Sequence, residues 1–204
     1  MCGRYTLEIN ECDEKMLRMI ELCNRDAVPD QKIAHRAEVL PGDNAPAIIS
    51  INHRPTAISM QWGFAKENGG LVINARSEDA GDRKLFRSLI HGQRCALPAA
   101  GYYEWRDGDH LRHVISRENG RALYLAGLYR SDEKGRLHFV VMTRNAFGPH
   151  AKIHGRMPCL LFSKEEARLW ISGTMPIETL RAPIDEDLHI EAQGFEQLCM
   201  DFDD

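Results

Sequence analysis

Residues 122–143 read ALYLAGLYRSDEKGRLHFVVMT, in which two apolar runs, ALYLAGLY (122–129) and LHFVVMT (137–143), flank a charged segment. Short runs rich in aliphatic, β-branched and aromatic residues, bounded by polar or turn-forming residues, are typical of β-strands. Both segments therefore predict strands. Similar runs recur along the chain, namely RYTLEI (4–9), AIISI (47–51), TAISMQW (56–62), GLVINA (70–75), CALPA (95–99), YYEW (102–105), LRHVISR (111–117) and PCLLF (158–162).

Helical patterns are fewer than strand patterns. Apolar residues at helical spacing predict an amphipathic helix over 11–25, and further helices are predicted over 82–91 and 163–171. The last of these begins SKEE, a capping box in which Ser163 and Glu166 would satisfy each other's backbone donors. The turn-rich stretch LPGDNAP (40–46) predicts a loop.

Many short strands with few long helices predict an α+β fold, built on a curled, mostly antiparallel sheet or open β-barrel with a few flanking helices. The chain has 204 residues, of which 43% are hydrophobic, and it contains no repeat or linker that would divide it. We therefore expect a single domain over residues 1–204.

Composition excludes several classes of protein. The formal charge of −4 argues against binding of nucleic acid through bulk positive charge, although a local arginine-lined groove stays open, and the tail DFDD is expected to be a solvated end. The chain has no apolar stretch long enough to span a membrane, and its N-terminus lacks the regions of a signal peptide, so we expect a cytoplasmic protein.

The cysteine pattern gives no sign of a metal site. The six cysteines, at positions 2, 12, 23, 95, 159 and 199, are expected to be reduced thiols in an intracellular protein. Neither a CxxC pair nor an HExxH or Cys/His finger spacing occurs, so we expect neither a metal nor a cofactor.

The N-terminal sequence MCGRY places Cys2 where removal of Met1 would leave a thiol beside a free α-amino group. Such a 1,2-aminothiol reacts with aldehydes and with acyl groups. The structural alternative is that Cys2 is simply the first residue of a strand.

Polar residues lie within or beside otherwise apolar strands in four further segments. These segments are INARSED with Asn74, Arg76 and Glu78, GYYEW with Glu104, IHGRMP with His154 and Arg156, and MQWGF with Trp62. Each residue also has a structural interpretation: a turn cap for the asparagine, a paired carboxylate, a hydrogen-bonded structural histidine, and a core tryptophan. A carboxylate between aromatic residues is costly unless it is paired or used.

Seven motifs in order resemble the SOS-response-associated peptidase (SRAP) family of abasic site processing proteins. They are MCGRY, WGF, INARSE, RCALPAAGYYEW, LAGLY, MTRNA and IHGRMP. The resemblance runs over residues 2–171 and leaves 172–204 as a C-terminal extension with the acidic tail. Two departures occur: VLPGDNAPA replaces the family's YNVAP-like stretch, and IHGRMP replaces the common IHDRMP, so that Gly155 removes a carboxylate beside His154.

The resemblance implies capture of an abasic site, whose ring-opened sugar is an aldehyde, in single-stranded DNA. After Met1 removal, the amine of Cys2 would form a Schiff base and the thiol would close a thiazolidine ring. The resemblance also implies that Asn74 positions the reacting groups, Glu104 moves protons and His154 assists opening of the sugar. It further implies a weak abasic-site lyase activity and a Cys2-dependent peptidase activity, for which self-removal of Met1 alone and a wider range of substrates both stay open.

The resemblance assigns DNA contacts to four residues. Arg4, Arg76 and Arg156 would bind phosphates, and Trp62 would stack against a base. The expected partner is single-stranded DNA containing abasic sites, bound at the nucleoid by a monomer.

Two other classes of function remain open from the residues alone. An N-terminal nucleophile amidohydrolase would use the Cys2 thiol on an amide, with Asn74 or the Asn68–Gly69 pair forming an oxyanion hole. A non-catalytic DNA-binding module would use the arginines and Trp62 but would have no use for Cys2.

Overall fold

The short apolar runs form paired strands in the computed structural model, which describes residues 2–7, 14–25, 27–34, 37–118, 121, 123–184 and 188–194. Met1, Cys12, Cys199 and the acidic tail lie outside these ranges. The helices within them are α1 (Glu14–Arg25) and α2 (Lys164–Ile171). The strands are β1 (Tyr5–Thr6), β2 (Glu38–Val39), β3 (Asn44–Ile51), β4 (Arg54–Trp62), β5 (Phe64–Ala65), β6 (Leu71–Val72), β7 (Asn74–Arg76), β8 (Arg94–Ala99), β9 (Gly101–Trp105), β10 (Arg112–Arg117), β11 (Leu123–Ser131), β12 (Leu137–Asn145), β13 (Arg156–Pro158), β14 (Leu160–Leu161) and β15 (Leu188–Gln193).

The larger sheet curls around β12. This strand pairs antiparallel with β11 on one edge and parallel with β4 and then β7 on the other. Antiparallel pairing continues from β4 to β3, β8 and β11, so the path returns to β12 and closes a ring. The predicted α+β class with a curled, mostly antiparallel sheet is confirmed. Of the two predicted forms, curled sheet or open barrel, the observed sheet is curled so far that its strands close into a ring.

Close packing in this ring depends on Gly127, in the LAGLY run of β11. A Cβ atom at this position would lie 2.8 Å from Sγ of Cys95 and 2.9 Å from the carbonyl oxygen of Val140, which is closer than side-chain atoms approach.

The indole Nε1 of Trp170, on α2, donates to the carbonyl oxygens of Cys95, at 3.0 Å, and Gly127, at 3.3 Å. Helix α2 therefore packs against the ring where β8 and β11 run together.

A second, antiparallel sheet has the order β15-β10-β9-β1-β2. Strand β8 of the ring passes into β9 of this sheet through Ala100, whose N–H donates to the carbonyl oxygen of Thr6 at 2.8 Å. Strand β9 then pairs with β1, with Tyr102 opposite Tyr5. This register brings the N-terminal segment alongside the strand that carries Glu104.

The predicted helices are confirmed in two of three cases. Helix α1 begins at Glu14, with residues 11–13 outside the described ranges, and α2 begins after Ser163, whose Oγ accepts the N–H of Glu166 at 3.0 Å. The predicted capping box has the Glu166 carboxylate accept the backbone N–H of Ser163. In the structure it accepts the N–H of Phe162 instead, at 2.6 Å.

The helix predicted over 82–91 is wrong. This segment forms a series of turns that ends in a 3₁₀ turn at Leu89–His91, with Phe86, Leu89 and Ile90 buried. In each turn, backbone N–H groups donate to the carbonyl oxygen of a residue three or four positions earlier, namely Asp79, Arg83 or Phe86. The apolar spacing is satisfied equally well by consecutive turns and by a helix, which is why the pattern did not distinguish them.

The remaining expectations on cysteines and membrane spans concern the described residues only. Cys2, Cys23, Cys95 and Cys159 are buried free thiols. In the described ranges, neither helix has the length and apolar character needed to cross a bilayer.

Candidate active site

Cys2 lies just before β1 and is fully buried. Its Sγ is 3.9 Å from the carbonyl oxygen of Arg4, a weak hydrogen bond. Burial raises the pKa of the Cys2 thiol, and the nearby charge of Glu104 raises it further. Cys2 is therefore a neutral thiol near neutral pH, and its nucleophilicity depends on a group that takes its proton.

Asn74 opens β7 and contacts the backbone of Cys2 directly. Its Nδ2 donates to the carbonyl oxygen of Cys2 at 2.9 Å. The pairing of β7 with β12, in which Asn74 lies opposite Val141, fixes the position of this side chain. The Oδ1 atom of Asn74 is buried and has no hydrogen-bond partner among the described residues, so it can accept a hydrogen bond from a substrate or a freed amine.

Glu104 lies on β9 and is only 4% exposed. Burial raises the pKa of its carboxyl group to about 7. A carboxyl group with this pKa can both donate and accept protons near neutrality.

Alternation along β9 places Glu104 on the opposite face from its sequence neighbours Tyr103 and Trp105. The guanidinium of Arg112 lies 4.0 Å from the ring centre of Tyr103, and that of Arg4 lies 5.3 Å from the ring centre of Trp105. Glu104 instead shares its face with Tyr102, whose pKa is raised by burial and by the charges of Cys2 and Glu104.

His154 lies in the loop between the 3₁₀ turn at Gly148–Lys152 and β13. Its N–H donates to the carbonyl oxygen of His150 at 3.1 Å, and its Nδ1 accepts the N–H of Arg156 at 2.9 Å. Because Nδ1 is an acceptor, the neutral ring carries its hydrogen on Nε2. The N–H of Asp107, just after β9, donates to the carbonyl oxygen of Ile153 at 2.8 Å, which holds this loop beside the end of the strand that carries Glu104.

Two of the three predicted phosphate-binding arginines are in ion pairs. Nη1 of Arg4 contacts Oε2 of Glu38 at 2.8 Å, and Arg112 binds the other oxygen of the same carboxylate. Arg156 binds both carboxylate oxygens of Glu78, at 2.9 and 2.8 Å. A phosphate at either arginine would have to compete with a carboxylate.

Arg76 is the predicted phosphate ligand whose charge is available. Its side chain is exposed and makes no hydrogen bond or ion pair with another described residue. It lines an open groove together with Asn74, Lys84 and the ion pair of Arg83 with Asp79. The groove therefore joins positive charge to the residue that contacts Cys2.

The prediction that Trp62 offers its ring to a base is wrong. The ring is fully buried, lies parallel to Phe139 with ring centres 5.9 Å apart, and donates from Nε1 to the carbonyl oxygen of Ile73 at 2.9 Å. The structural alternative, a core tryptophan, is the observed one, because WGF closes the turn from β4 into β5 inside the core.

Gly155, which replaces the aspartate of the common family motif, has open space around it. A Cβ atom there would meet no other atom within 4 Å. An aspartate side chain would therefore fit at this position. The loss of the family's carboxylate beside His154 has no steric cause.

Sequence reasoning missed two groups in this region. Tyr102 and His150 form a buried side-chain pair, and Glu38 holds Arg4 and Arg112. The only signals were a second tyrosine beside Glu104 and a histidine four residues before His154. The described residues contain no cluster of His, Cys, Asp and Glu side chains arranged to hold a metal ion.

The chain matches a family described as SOS response associated peptidase (SRAP) over residues 1–192. It is 29% identical to the abasic site processing protein YoqW of Bacillus subtilis, over 92% of this chain and 89% of that protein. It is 28% identical to the abasic site processing protein YedK of Escherichia coli, over 84% of this chain and 79% of that protein. The abasic site processing protein YMR114C of Saccharomyces cerevisiae is 37% identical over 79% of this chain and 52% of its own length.

Solved structures share the fold. A protein from Bacteroides thetaiotaomicron superimposes with a TM-score of 0.72 at 20% identity, over 94% of this chain and 91% of that one. A protein from Bordetella bronchiseptica superimposes with a TM-score of 0.68 at 21% identity, over 95% of this chain and 100% of that one.

Proposed function

Because this chain belongs to the SOS response associated peptidase (SRAP) family, we propose that it is an abasic site processing protein that cross-links itself to the damaged site. The observation that carries the proposal is the arrangement around Cys2. Asn74 holds its carbonyl group, and Glu104, with a pKa of about 7, lies close enough for its charge to act on the thiol. The names of the curated relatives support the same substrate.

The proposed reaction begins with removal of Met1. While Met1 is present, the nitrogen of Cys2 is part of a peptide bond and cannot form an imine. The freed α-amine has a reference pKa of about 7.7–8.0, so a substantial fraction is neutral and nucleophilic in the cell. Hydrolysis of the Met1–Cys2 bond by the protein itself would account for a peptidase activity.

The amine then adds to the aldehyde of the ring-opened sugar. The carbinolamine loses water to give an imine, and the thiol adds to the imine carbon while its proton passes to the imine nitrogen. The product is a five-membered thiazolidine. Because amine and thiol belong to one residue, the second step is intramolecular, for which effective molarities reach about 10⁵–10⁸ M.

Three side chains of the site have separate roles in this reaction. Glu104 delivers a proton to the leaving hydroxyl and takes one from the thiol, which its pKa near neutrality allows. Asn74 holds Cys2 by its carbonyl group and offers Oδ1 to the reacting amine or sugar. His154 assists opening of the sugar. β-Elimination from the same imine would give a weak lyase activity.

Single-stranded DNA is the proposed partner, since a base beside the lesion has to leave the stack for the sugar to reach a buried residue. Arg76 would bind a phosphate next to the reacting sugar, in the groove that it shares with Asn74. Arg4 and Arg156 would join only if DNA displaces Glu38 and Glu78. A monomer suffices for these contacts.

The amidohydrolase alternative has less support. The Nδ2 of Asn74 already donates one hydrogen to the carbonyl group of Cys2 itself, which leaves a single N–H to stabilise an oxyanion from a substrate. Asn68 and Gly69 lie in an exposed turn between β5 and β6.

The test is incubation of the Met1-free protein with an oligonucleotide that contains one abasic site, followed by a denaturing gel. We expect a covalent complex with the abasic oligonucleotide and none with the undamaged one. The Cys2→Ala variant should bind both but cross-link neither. Equal retention of Cys2→Ala on the denaturing gel would overturn the proposal, and binding with no cross-link by the wild type would favour a non-catalytic module.

A further inference from the structure

Tyr102 and His150 form a buried pair next to the proposed site. The Tyr102 hydroxyl lies 3.0 Å from Nδ1 of His150, and the two rings are nearly parallel, at 17°, with centres 6.3 Å apart. Tyr102 is fully buried and His150 is 8% exposed. None of the chemical steps above uses either side chain.

The direction of this hydrogen bond follows from the charge of the histidine. Burial lowers the pKa of His150 to about 4, so its ring is neutral at neutral pH. The Tyr102 hydroxyl makes no other hydrogen bond to a described residue. We therefore assign the hydroxyl as donor and Nδ1 as acceptor, because this arrangement satisfies the only hydrogen of a fully buried hydroxyl.

Tyr102 connects this hydrogen bond to Glu104. The two residues are two positions apart on β9 and share one face of the strand, so the Tyr102 side chain is a reference point at a defined position relative to Glu104. Strand β9 is itself held between β1 and β10, with Tyr102 opposite Tyr5 and Ile115. Its position is thus fixed on both edges.

His150 connects the same hydrogen bond to His154. The carbonyl oxygen of His150 accepts the N–H groups of Ile153, at 2.9 Å, and His154, at 3.1 Å. The side chain of His150 therefore anchors the turn from which His154 projects. The backbone hydrogen bond from Asp107 to Ile153 also ties this turn to the end of β9.

We propose that Tyr102 and His150 are positioning residues, whose hydrogen bond fixes the His154 turn at its working distance from Glu104. The kinetic consequence of this inference rests on the proposed function; the structural consequence does not. Neither residue touches the reacting atoms in this account. Misplacement of a reacting group by about 1 Å can lower a rate by about 10²-fold, so a tie of this kind has a measurable effect.

Three variants and one control test the proposal. Tyr102→Phe keeps the ring and removes the hydroxyl, His150→Leu removes the acceptor, and His150→Asn offers an amide oxygen near the position of Nδ1. Tyr129→Phe removes a half-buried hydroxyl on β11, away from this pair, and serves as the matched control.

The first measurement needs no DNA. Hydrogen exchange of the amides of Ile153 and His154 should become faster by about tenfold or more in Tyr102→Phe and His150→Leu, and should stay near the wild-type rate in His150→Asn and Tyr129→Phe. Unchanged protection in Tyr102→Phe would overturn the proposal, whatever the protein does to DNA.

The second measurement separates affinity from rate. At saturating abasic oligonucleotide, Tyr102→Phe and His150→Leu should cross-link about 10- to 100-fold more slowly than the wild type, with affinity for the oligonucleotide changed less than about threefold. The double variant should be no slower than either single variant, because both break one contact. His150→Asn should recover most of the rate.

The outcomes distinguish this inference from the proposed function. If the wild type fails to cross-link, the proposed function fails, and the exchange measurement alone decides whether the pair holds the turn. If the wild type cross-links and Tyr102→Phe matches its rate at saturation, the pair has no positioning role. A loss of affinity without a loss of rate would also contradict it.

Discussion

The side-chain Nδ2 of Asn74 lies 2.9 Å from the carbonyl oxygen of Cys2, a contact between residues 72 positions apart in the sequence. It holds the N-terminal segment of the chain against β7. The proposed chemistry needs such a restraint, because a residue at a chain end is otherwise free to move and loses the advantage of fixed orientation.

Replacement of Asn74 by Ala should therefore slow cross-linking at saturating DNA by about 10- to 100-fold, since the restraint on Cys2 and the Oδ1 acceptor are both lost. The expected loss in the free energy of unfolding is only about 1 kcal/mol, the usual value for one hydrogen bond. Single-turnover gel assays and chemical denaturation measure the two effects. Asn68→Ala, in an exposed turn, is the control. A variant that keeps the wild-type rate would remove Asn74 from the mechanism.

Glu104→Gln should slow both formation and reversal of the cross-link by about 10²–10⁴, the range of general acid–base catalysis. The amide keeps the shape of the side chain but cannot exchange protons. Affinity for single-stranded DNA should be nearly unchanged. The wild-type rate should also change with pH around the Glu104 pKa of about 7, and this inflection should be absent in the variant. An unaltered inflection would assign it to another group.

The same substitution should change stability in a pH-dependent way. The Glu104 pKa rises from an ordinary 4.5 to about 7 on folding, so the native state binds the proton more tightly than the unfolded chain. The contribution of this group to the free energy of unfolding is complete below about pH 4.5 and is lost as pH rises through 7. At about 1.36 kcal/mol per pKa unit, the Gln variant should gain up to about 3 kcal/mol over the wild type between pH 4.5 and 8. Denaturation at both pH values checks this, and a constant difference would contradict the buried carboxyl.

Arg76→Ala should reduce the salt dependence of DNA binding. Each neutralised phosphate on a single strand contributes about −0.7 to the slope of log affinity against log salt concentration. Loss of one exposed, unpaired guanidinium should therefore flatten the slope by about 0.7. Arg54→Ala, an exposed arginine at the start of β4 outside the groove, should leave it unchanged. Equal effects of the two substitutions would refute a specific phosphate contact at Arg76.

Much of the fold could be predicted from the sequence, because the strands are short apolar runs bounded by polar segments. No predicted run covers β2, β5 or β15, and the run PCLLF meets β13 only at Pro158. Strands β2 and β5 are two residues long, β13 has three residues, and β15 is largely exposed, so all four carry little apolar signal. Trp62 was assigned to DNA although its environment is the core, since an aromatic residue beside a glycine has the same pattern in both settings.

The site could be predicted only in part. The residues carry recognisable chemistry, but the contact of Asn74 with Cys2 and the burial of Glu104 depend on the register of β1 with β9 and of β7 with β12. The pairing of Arg156 with Glu78 likewise joins residues 78 positions apart. Local sequence does not fix such long-range contacts, which explains why free and paired arginines were not distinguished.

The most direct measurement of the central claim is the intact mass of the protein after incubation with an oligonucleotide that contains one abasic site. Two forms are compared: the Met1-free chain, and a chain whose N-terminus carries an uncleavable extension. The Met1-free form should give an adduct equal to protein plus oligonucleotide minus one water, stable without borohydride. The extended form should give none, and Cys2→Ser should give an adduct only when borohydride traps the imine. An equally abundant, stable adduct from the extended form would contradict the thiazolidine account.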